Sequence, residues 1–245
     1  MGQPPETNDS PPVDPTPNPG SRVVPGRYGR QGNGAVADPI PDIVIRRLPI
    51  YVRTLQALAD GGIVSVSSDE LAASIGVTAA QIRRDLSYFG RFGKQGKGYD
   101  TDFLAGAISR ILHLDRSWDV ALAGFGNLGR AIAHYRGFVP SLFRIAAIFD
   151  RGEHVGERID GIEILRSDRI AEEVRRQGVR IGIVAVPAAA AQDVANRLVD
   201  GGVRALLNYA PAVLKVPANV TIREIDPVGA MQSMTYYLND DDPAS

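Results

Sequence analysis

Gly124, Gly126 and Gly129 stand in a Gly-x-Gly-x-x-Gly spacing, with Phe125, Asn127 and Leu128 between them. An apolar run at 120–123 precedes them, and a second apolar run at 145–149 ends on Asp150. In this order the residues can hold a dinucleotide. The first glycine allows a tight strand-to-helix turn. The second lets the backbone approach a pyrophosphate, and the third lets the helix pack on the strand. The helix N-terminus then offers N–H groups to the phosphates. An acid about 20 residues further on accepts the ribose hydroxyls. Asp150 repels a 2′-phosphate and so favours NAD(H), whereas the adjacent Arg151 is the kind of residue that admits NADP(H). Val186, Pro187, Asn208, Tyr209 and Ala210 fall in loops after two further apolar runs. Loops at the C-terminal ends of parallel strands line the cofactor crevice, although a simple turn role accounts for them too.

A second chemistry lies upstream. Between Gln81 and Tyr99 there are five bases (Arg83, Arg84, Arg91, Lys94, Lys97) and one acid, Asp85. The local net charge is therefore +4 on a chain whose net charge is −1. Such a patch on a helix followed by a glycine-rich segment suits a phosphate backbone. Paired arginines are also common on merely solvated helix faces.

Other chemistries are excluded or unsupported. The chain has no cysteine, which removes disulfides, thiolate metal sites and a cysteine nucleophile. His113, His134 and His154 are scattered and share no ligand spacing, so no metal is expected. No apolar run is long enough to cross a membrane, and no signal-peptide pattern opens the chain. A cytoplasmic protein is expected.

The elements that must position these residues follow from patterning. Residues 1–41 carry 10 of the 17 prolines and six glycines, and read as a disordered tail. Leu48, Val52, Leu55 and Leu58 define a helix that Pro49 kinks or starts. Ser67 with Glu70, and Thr78 with Gln81, have capping-box spacing on either side of Gly76. The result is helix, glycine turn, helix. The segment 90–99 has the glycines, aromatics and bases of a β-hairpin wing. From 118 onward, strands at 119–123, 144–149, 181–186, 204–208 and 219–224 alternate with helices at 127–137, 167–177 and 189–201. That alternation predicts an α/β fold with a parallel sheet. One amphipathic helix, 227–238, closes the chain. The expected divisions are the tail (1–41), a winged-helix DNA-binding domain (42–100), a linking helix (101–117), a nucleotide-binding domain (118–225) and a C-terminal helix and tail (226–245).

This order of parts resembles the Rex family of redox-sensing transcriptional repressors. The carrying segments are Ala79-Ala-Gln-Ile-Arg-Arg-Asp-Leu-Ser-Tyr-Phe-Gly90, Phe92-Gly-Lys-Gln-Gly-Lys-Gly-Tyr-Asp100, Gly124-Phe-Gly-Asn-Leu-Gly129, Leu207-Asn-Tyr-Ala-Pro211, and Ile225-Asp226 followed by Met234-Thr-Tyr-Tyr-Leu238. The resemblance spans about residues 42–238. It implies a homodimer of winged helix-turn-helix and Rossmann-like domains, with the C-terminal helix swapped onto the partner. It implies that NAD⁺ permits binding to a two-fold DNA operator and that NADH releases it. It places Thr78, Gln81, Arg83, Arg84, Ser87, Tyr88, Arg91, Lys94 and Lys97 against DNA and Tyr99 near the nicotinamide. It also pairs Arg47 with Asp226 across the domain seam. The family wing usually carries arginine where this chain has Gln95, which leaves the minor-groove contact to Arg91, Lys94 or Lys97.

Two other functions compete. A dehydrogenase would need a substrate domain and a positioned acid/base pair. About 20 residues follow the last strand, and no histidine lies on a plausible catalytic loop, so an enzyme is not expected. A Rossmann-like binder of coenzyme A or another nucleotide would share the glycine turn but needs no DNA-binding domain.

Overall fold

The computed structural model describes residues 40–93, 98–138 and 142–238. The expected tail through residue 39, the wing residues Lys94, Gln95 and Lys97, and the chain end from 239 lie outside the described residues. The chain divides into two compact units, one ending at Ala105 and the next beginning at Gly106.

In the first unit, α1 (Asp42–Asp60) buries Leu48, Tyr51, Val52 and Leu55 along one face. The helix runs through Pro49 instead of starting there. Pro49 lies on the exposed face, where a carbonyl left without its N–H partner can be hydrated. β1 (Ser65–Val66) leads into α2 (Ser68–Ile75). The Ser67 hydroxyl accepts from the Glu70 N–H at 3.1 Å, and Glu70 accepts from the Ser67 N–H at 2.8 Å. This is the expected capping box. Gly76 ends the helix at φ +79°. α3 (Ala79–Ser87) starts under Thr78, whose hydroxyl accepts from the Gln81 N–H at 3.1 Å. Here no second box closes. The Gln81 amide turns toward Asp85 instead, at 2.7 Å. α2 packs on α1 and α3, and Leu71, Ile82 and Leu86 are buried. β2 (Tyr99–Asp100) pairs antiparallel with β1.

The unit boundary falls inside α4 (Thr101–Ile111), the expected linking helix. The second unit is a seven-stranded sheet. Its strands are β3 (Trp118–Ala123), β4 (Phe143–Asp150), β5 (Arg158–Ile159), β6 (Ile162–Arg166), β7 (Ile181–Val184), β8 (Ala205–Asn208) and β9 (Thr221–Glu224), in the order β5-β6-β4-β3-β7-β8-β9. All neighbours are parallel except β5 and β6. Counting only the parallel strands, the order is 3-2-1-4-5-6, that of a doubly wound dinucleotide-binding sheet. Alternate residues face opposite ways. Ala121, Ala123, Phe149, Val184 and Leu206 pack under α6 (Ile170–Gln177) and α7 (Ala188–Gly201). Val120, Leu122, Ile148 and Ile183 pack on the other face with α5 (Asn127–Ala133).

Three details differ from expectation. β5 and β6 form a hairpin that the hydrophobic pattern did not reveal. α5 stops at Ala133, four residues before the expected 137. The last helix, α8 (Pro227–Thr235), ends three residues before the expected 238; it buries no residue, and Val228, Met231 and Met234 are all more than half exposed.

On α6, Glu173 accepts from Arg176 and Gln177. Hydrogen bonding from Arg176 outweighs desolvation and draws its carboxyl down to about 2. A depressed folded-state pKa stabilises above the unfolded value and is lost as pH falls through the folded one. Glu173→Gln should therefore cost about 1–2 kcal/mol at neutral pH. The difference from wild type should shrink in thermal melts taken from pH 4.5 toward pH 2.

Candidate functional site

β3 delivers the chain into the glycine turn at Gly124, and α5 carries it away from Asn127. The three glycines serve different needs. Gly124 has φ +99°, and a Cβ there would lie 2.3 Å from the Ala185 carbonyl in the loop after β7. A Cβ on Gly129 would lie 1.9 Å from the Gly124 carbonyl. Both are therefore demanded by the protein's own packing. Gly126 is not: its backbone is extended at φ −68°, and a Cβ there would meet nothing within 4 Å. The space it keeps open belongs to a cleft of about 300 Å³, bordered by Gly124, Gly126, Asp150, Arg151, Val186 and Pro187. The cleft lies at the C-terminal ends of β3 and β7. Successive connections leave β3 in opposite directions along the sheet, and ligands bind at such switch points.

Asp150 is half-buried at the tip of β4. One carboxylate oxygen accepts from the Phe125 N–H and the other from the Gly152 N–H, both at 2.6 Å. These bonds fix the glycine turn to the strand tip. A carboxylate has about four acceptor positions, so two remain for a ribose diol. The donor set and the open face at Gly126 thus fit a dinucleotide.

The other expected cofactor residues are placed less uniformly. Phe125 is fully buried, edge-on to His154 at 5.8 Å, so only its backbone faces the turn. Asn127 and Leu128 are exposed on the first turn of α5. Asn208 is buried and shapes its own loop, donating to the Ala212 carbonyl at 2.9 Å and accepting from the Ala210 N–H at 3.0 Å. Tyr209 is half-buried against the α5 side of the sheet, and Ala210 is buried on the other face. None of these three borders the cleft. Tyr99 is buried in the first unit, opposite Val66.

On α3, Ala80, Arg83, Arg84 and Ser87 form one exposed stripe, while Ile82, Asp85 and Leu86 are buried. Arg83 and Arg84 have no ion-pair partner among the described residues, so their charge is available to a ligand. Tyr88 caps the helix end with its ring partly exposed, and Arg91 is exposed. Ala80 was not singled out from sequence. Its place one turn from Arg83 and Arg84 was the available signal.

Asp85 is the unexpected residue. It is fully buried. Arg47 donates to it through Nε at 2.6 Å and Nη2 at 2.8 Å, Tyr51 Oη at 2.7 Å, and Gln81 Nε2 at 2.7 Å. Desolvation pushes the carboxyl up, but the bonds from Arg47, Tyr51 and Gln81 outweigh it and hold it below the usual range. The Arg47 guanidinium is raised by its bond to Asp85, and the Tyr51 hydroxyl is raised by burial and by Asp85. Asp226 is exposed and caps α8, accepting from the Gly229 N–H at 2.9 Å.

Among the described residues no group of three or more His, Asp or Glu side chains could hold a metal ion. No described helix is long and apolar enough to cross a membrane.

A doubly wound sheet with a dinucleotide cleft, preceded by a helix-turn-helix, defines a nucleotide-responsive DNA-binding protein. Comparison with known proteins narrows the class. A family model for a DNA-binding protein N-terminus matches residues 39–87, and a CoA binding domain model matches residues 115–212. The redox-sensing transcriptional repressor Rex of Roseiflexus sp. (strain RS-1) is 54% identical over 199 residues, which are 81% of this chain and 90% of that one. A crystal structure of RSP in complex with β-NAD⁺ and operator DNA superposes with a TM-score of 0.78 at 38% identity, covering 82% of this chain and 93% of that one. RSP in complex with β-NADH gives a TM-score of 0.73 at 36% identity, covering 82% and 94%. The chain belongs to the Rex family of redox-sensing transcriptional repressors. These relatives are regulators of transcription and not enzymes, and the sheet is the Rossmann-like core expected.

Proposed function

We propose that this chain represses transcription by binding operator DNA and senses the NADH/NAD⁺ ratio, with NADH releasing the operator. The observation that carries this reading is Gly126. It is the one glycine of the turn whose missing side chain serves no packing need, and it lies beside the Asp150 carboxylate. NAD(H) supplies two redox states of one ligand, and the protein needs only to bind them differently in its two conformations. Gly124, Phe125, Gly126, Asn127, Leu128 and Gly129 would follow the pyrophosphate with their backbone. Asp150 would accept the ribose hydroxyls beside Arg151, while Val186 and Pro187 would wall the far side and the loop of Asn208, Tyr209 and Ala210 the nicotinamide end. Tyr99 would meet the nicotinamide.

On the DNA side, Arg83, Arg84, Ser87 and Thr78 would face the major groove. Gln81, Tyr88, Arg91, Lys94 and Lys97 would complete the contact. The protein would act in the cytoplasm as a homodimer. The support for the dimer is α8, which exposes Val228, Met231 and Met234, with Tyr236, Tyr237 and Leu238 beyond. An apolar face of this kind marks an interaction surface. A two-fold dimer calls for half-sites about one helical turn, or a multiple, apart. Arg47 and Asp226 would form the latch of the DNA-binding state.

A duplex selected by the protein from a randomised pool, in the presence of NAD⁺, provides the test. Adding NADH should release the duplex, while coenzyme A should not. Retention under NADH, or release by coenzyme A, would contradict the reading.

A further inference from the structure

The two backbone donors that hold the Asp150 carboxylate both hang from parts of the chain that His154 touches. One donor is the Phe125 N–H, and the Phe125 ring stands edge-on to the His154 imidazole at 5.8 Å. The other is the Gly152 N–H, which belongs to the same loop as His154, between β4 and β5. The imidazole is half-buried there, with 23% of the side chain exposed.

Its two nitrogens are both engaged. Nε2 lies 3.1 Å from Nη2 of Arg130 on α5, and Nδ1 lies 3.1 Å from Glu157 Oε1 at the far end of the loop. The remaining charged neighbour is Glu153, an exposed side chain whose carboxylate is 4.0 Å from Nε2. A guanidinium only donates and a carboxylate only accepts. One tautomer satisfies both partners: Nδ1 donates its proton to Glu157, and Nε2 accepts from Arg130. Arg130 itself lies over the buried Phe125 ring, 5.5 Å from the ring centroid. The end of the loop is tied separately to β6, where the Gly156 N–H donates to the Ile164 carbonyl and the Ile164 N–H to the Glu157 carbonyl, each at 2.9 Å. His154 thus fastens the middle of the loop to α5 and to the residue inside the glycine turn. An apolar side chain would pack on Phe125 equally well. The bonds to Arg130 and Glu157 add direction to that contact.

We propose that His154 is a positioning residue for the adenosine ribose. By bracing the loop against α5 and Phe125, it keeps the Phe125 and Gly152 N–H groups converging on Asp150. The acceptor positions left on that carboxylate are then aimed at the ribose diol. This rests on the reading of Asp150 as the ribose acceptor. A packing role alone would weaken every dinucleotide alike. A positioning role shows in how strongly the 2′-hydroxyl is recognised, because a hydrogen bond weakens steeply as its geometry degrades.

The test uses the full-length protein and two ligands: NADH, and the NADH analogue whose adenosine ribose lacks the 2′-hydroxyl. The quantity read by fluorescence titration is the discrimination factor, the ratio of the two dissociation constants. In the wild type it should be roughly 10- to 100-fold, the worth of a hydrogen bond to a charged group. In His154→Ala it should fall about 3- to 10-fold, the worth of one ordinary hydrogen bond. His154→Gln keeps an acceptor near the place of Nε2, so its factor should lie closer to the wild-type value than that of His154→Ala. A His154→Ala protein that binds both ligands more weakly but keeps the wild-type factor would overturn the proposal. So would a His154→Gln protein no better than His154→Ala.

Should His154→Ala not fold, Arg130→Ala removes the other half of the bond. A contact between Arg130 and the pyrophosphate would be shared by both ligands and would cancel in the ratio. The factor should fall there too, and an unchanged factor in Arg130→Ala would overturn the proposal. Failure of the underlying reading looks different. A wild-type factor of one would remove Asp150 as the ribose acceptor, and the role of His154 with it.

Discussion

Gly126→Val should abolish NADH binding and leave the fold intact. The backbone at Gly126 is extended at φ −68°, a conformation open to any residue, and a Cβ there would meet nothing within 4 Å beyond its chain neighbours. The thermal midpoint should therefore move little. The same side chain would occupy the approach of a pyrophosphate to the turn. Losing two charge-assisted hydrogen bonds costs about 3–6 kcal/mol, or roughly 10²- to 10⁴-fold in affinity. Fluorescence titration with NADH and a melt of the ligand-free protein decide the matter together. Gly129→Ala is the contrasting control. Its Cβ would lie 1.9 Å from a backbone carbonyl, so it should lower stability before it affects any ligand. Wild-type NADH affinity in Gly126→Val would displace the cofactor from this turn.

The second large effect belongs to Arg83 and Arg84. Both are exposed on α3 without an ion-pair partner among the described residues. Replacing both with alanine should lower operator affinity by about 2–6 kcal/mol, or roughly 30-fold or more. The log–log salt slope should become shallower by about 0.9 for each phosphate contact removed. NADH affinity should not change, because neither residue lies in the nucleotide-binding unit. Undiminished operator binding in the double variant would remove α3 as the reading helix.

Much of this architecture is legible in the sequence because its signals are local. The glycine turn, the capping box at Ser67 and Glu70, the glycine stop at Gly76 and the βαβ alternation each need only a few neighbouring residues. What escaped needed distant partners or a finer turn reading. β6 was missed because it is short and Glu163 interrupts its apolar pattern. Yet Asp160-Gly161 sits between Ile159 and Ile162 with both φ values positive, 50° and 84°. An Asp-Gly pair of this kind is a strong two-residue hairpin signal and was available. Asp85 looked like the lone acid of a basic patch. Its burial depends on Arg47 and Tyr51, more than 30 positions away, and only its place between Ile82 and Leu86 hinted at it. In sequence the three glycines form one motif. Only the folded backbone separates Gly124 and Gly129, which packing demands, from Gly126.

NADH and operator DNA should oppose one another through a single conformational equilibrium. Linkage then fixes a relation between two independent measurements. Calorimetric titration of NADH into the free protein and into its operator complex gives one factor. Operator affinity with and without saturating NADH gives the other. The two factors should be equal, within a range of about 5- to 150-fold. An NADH affinity that is the same in the free protein and in the operator complex would contradict the account.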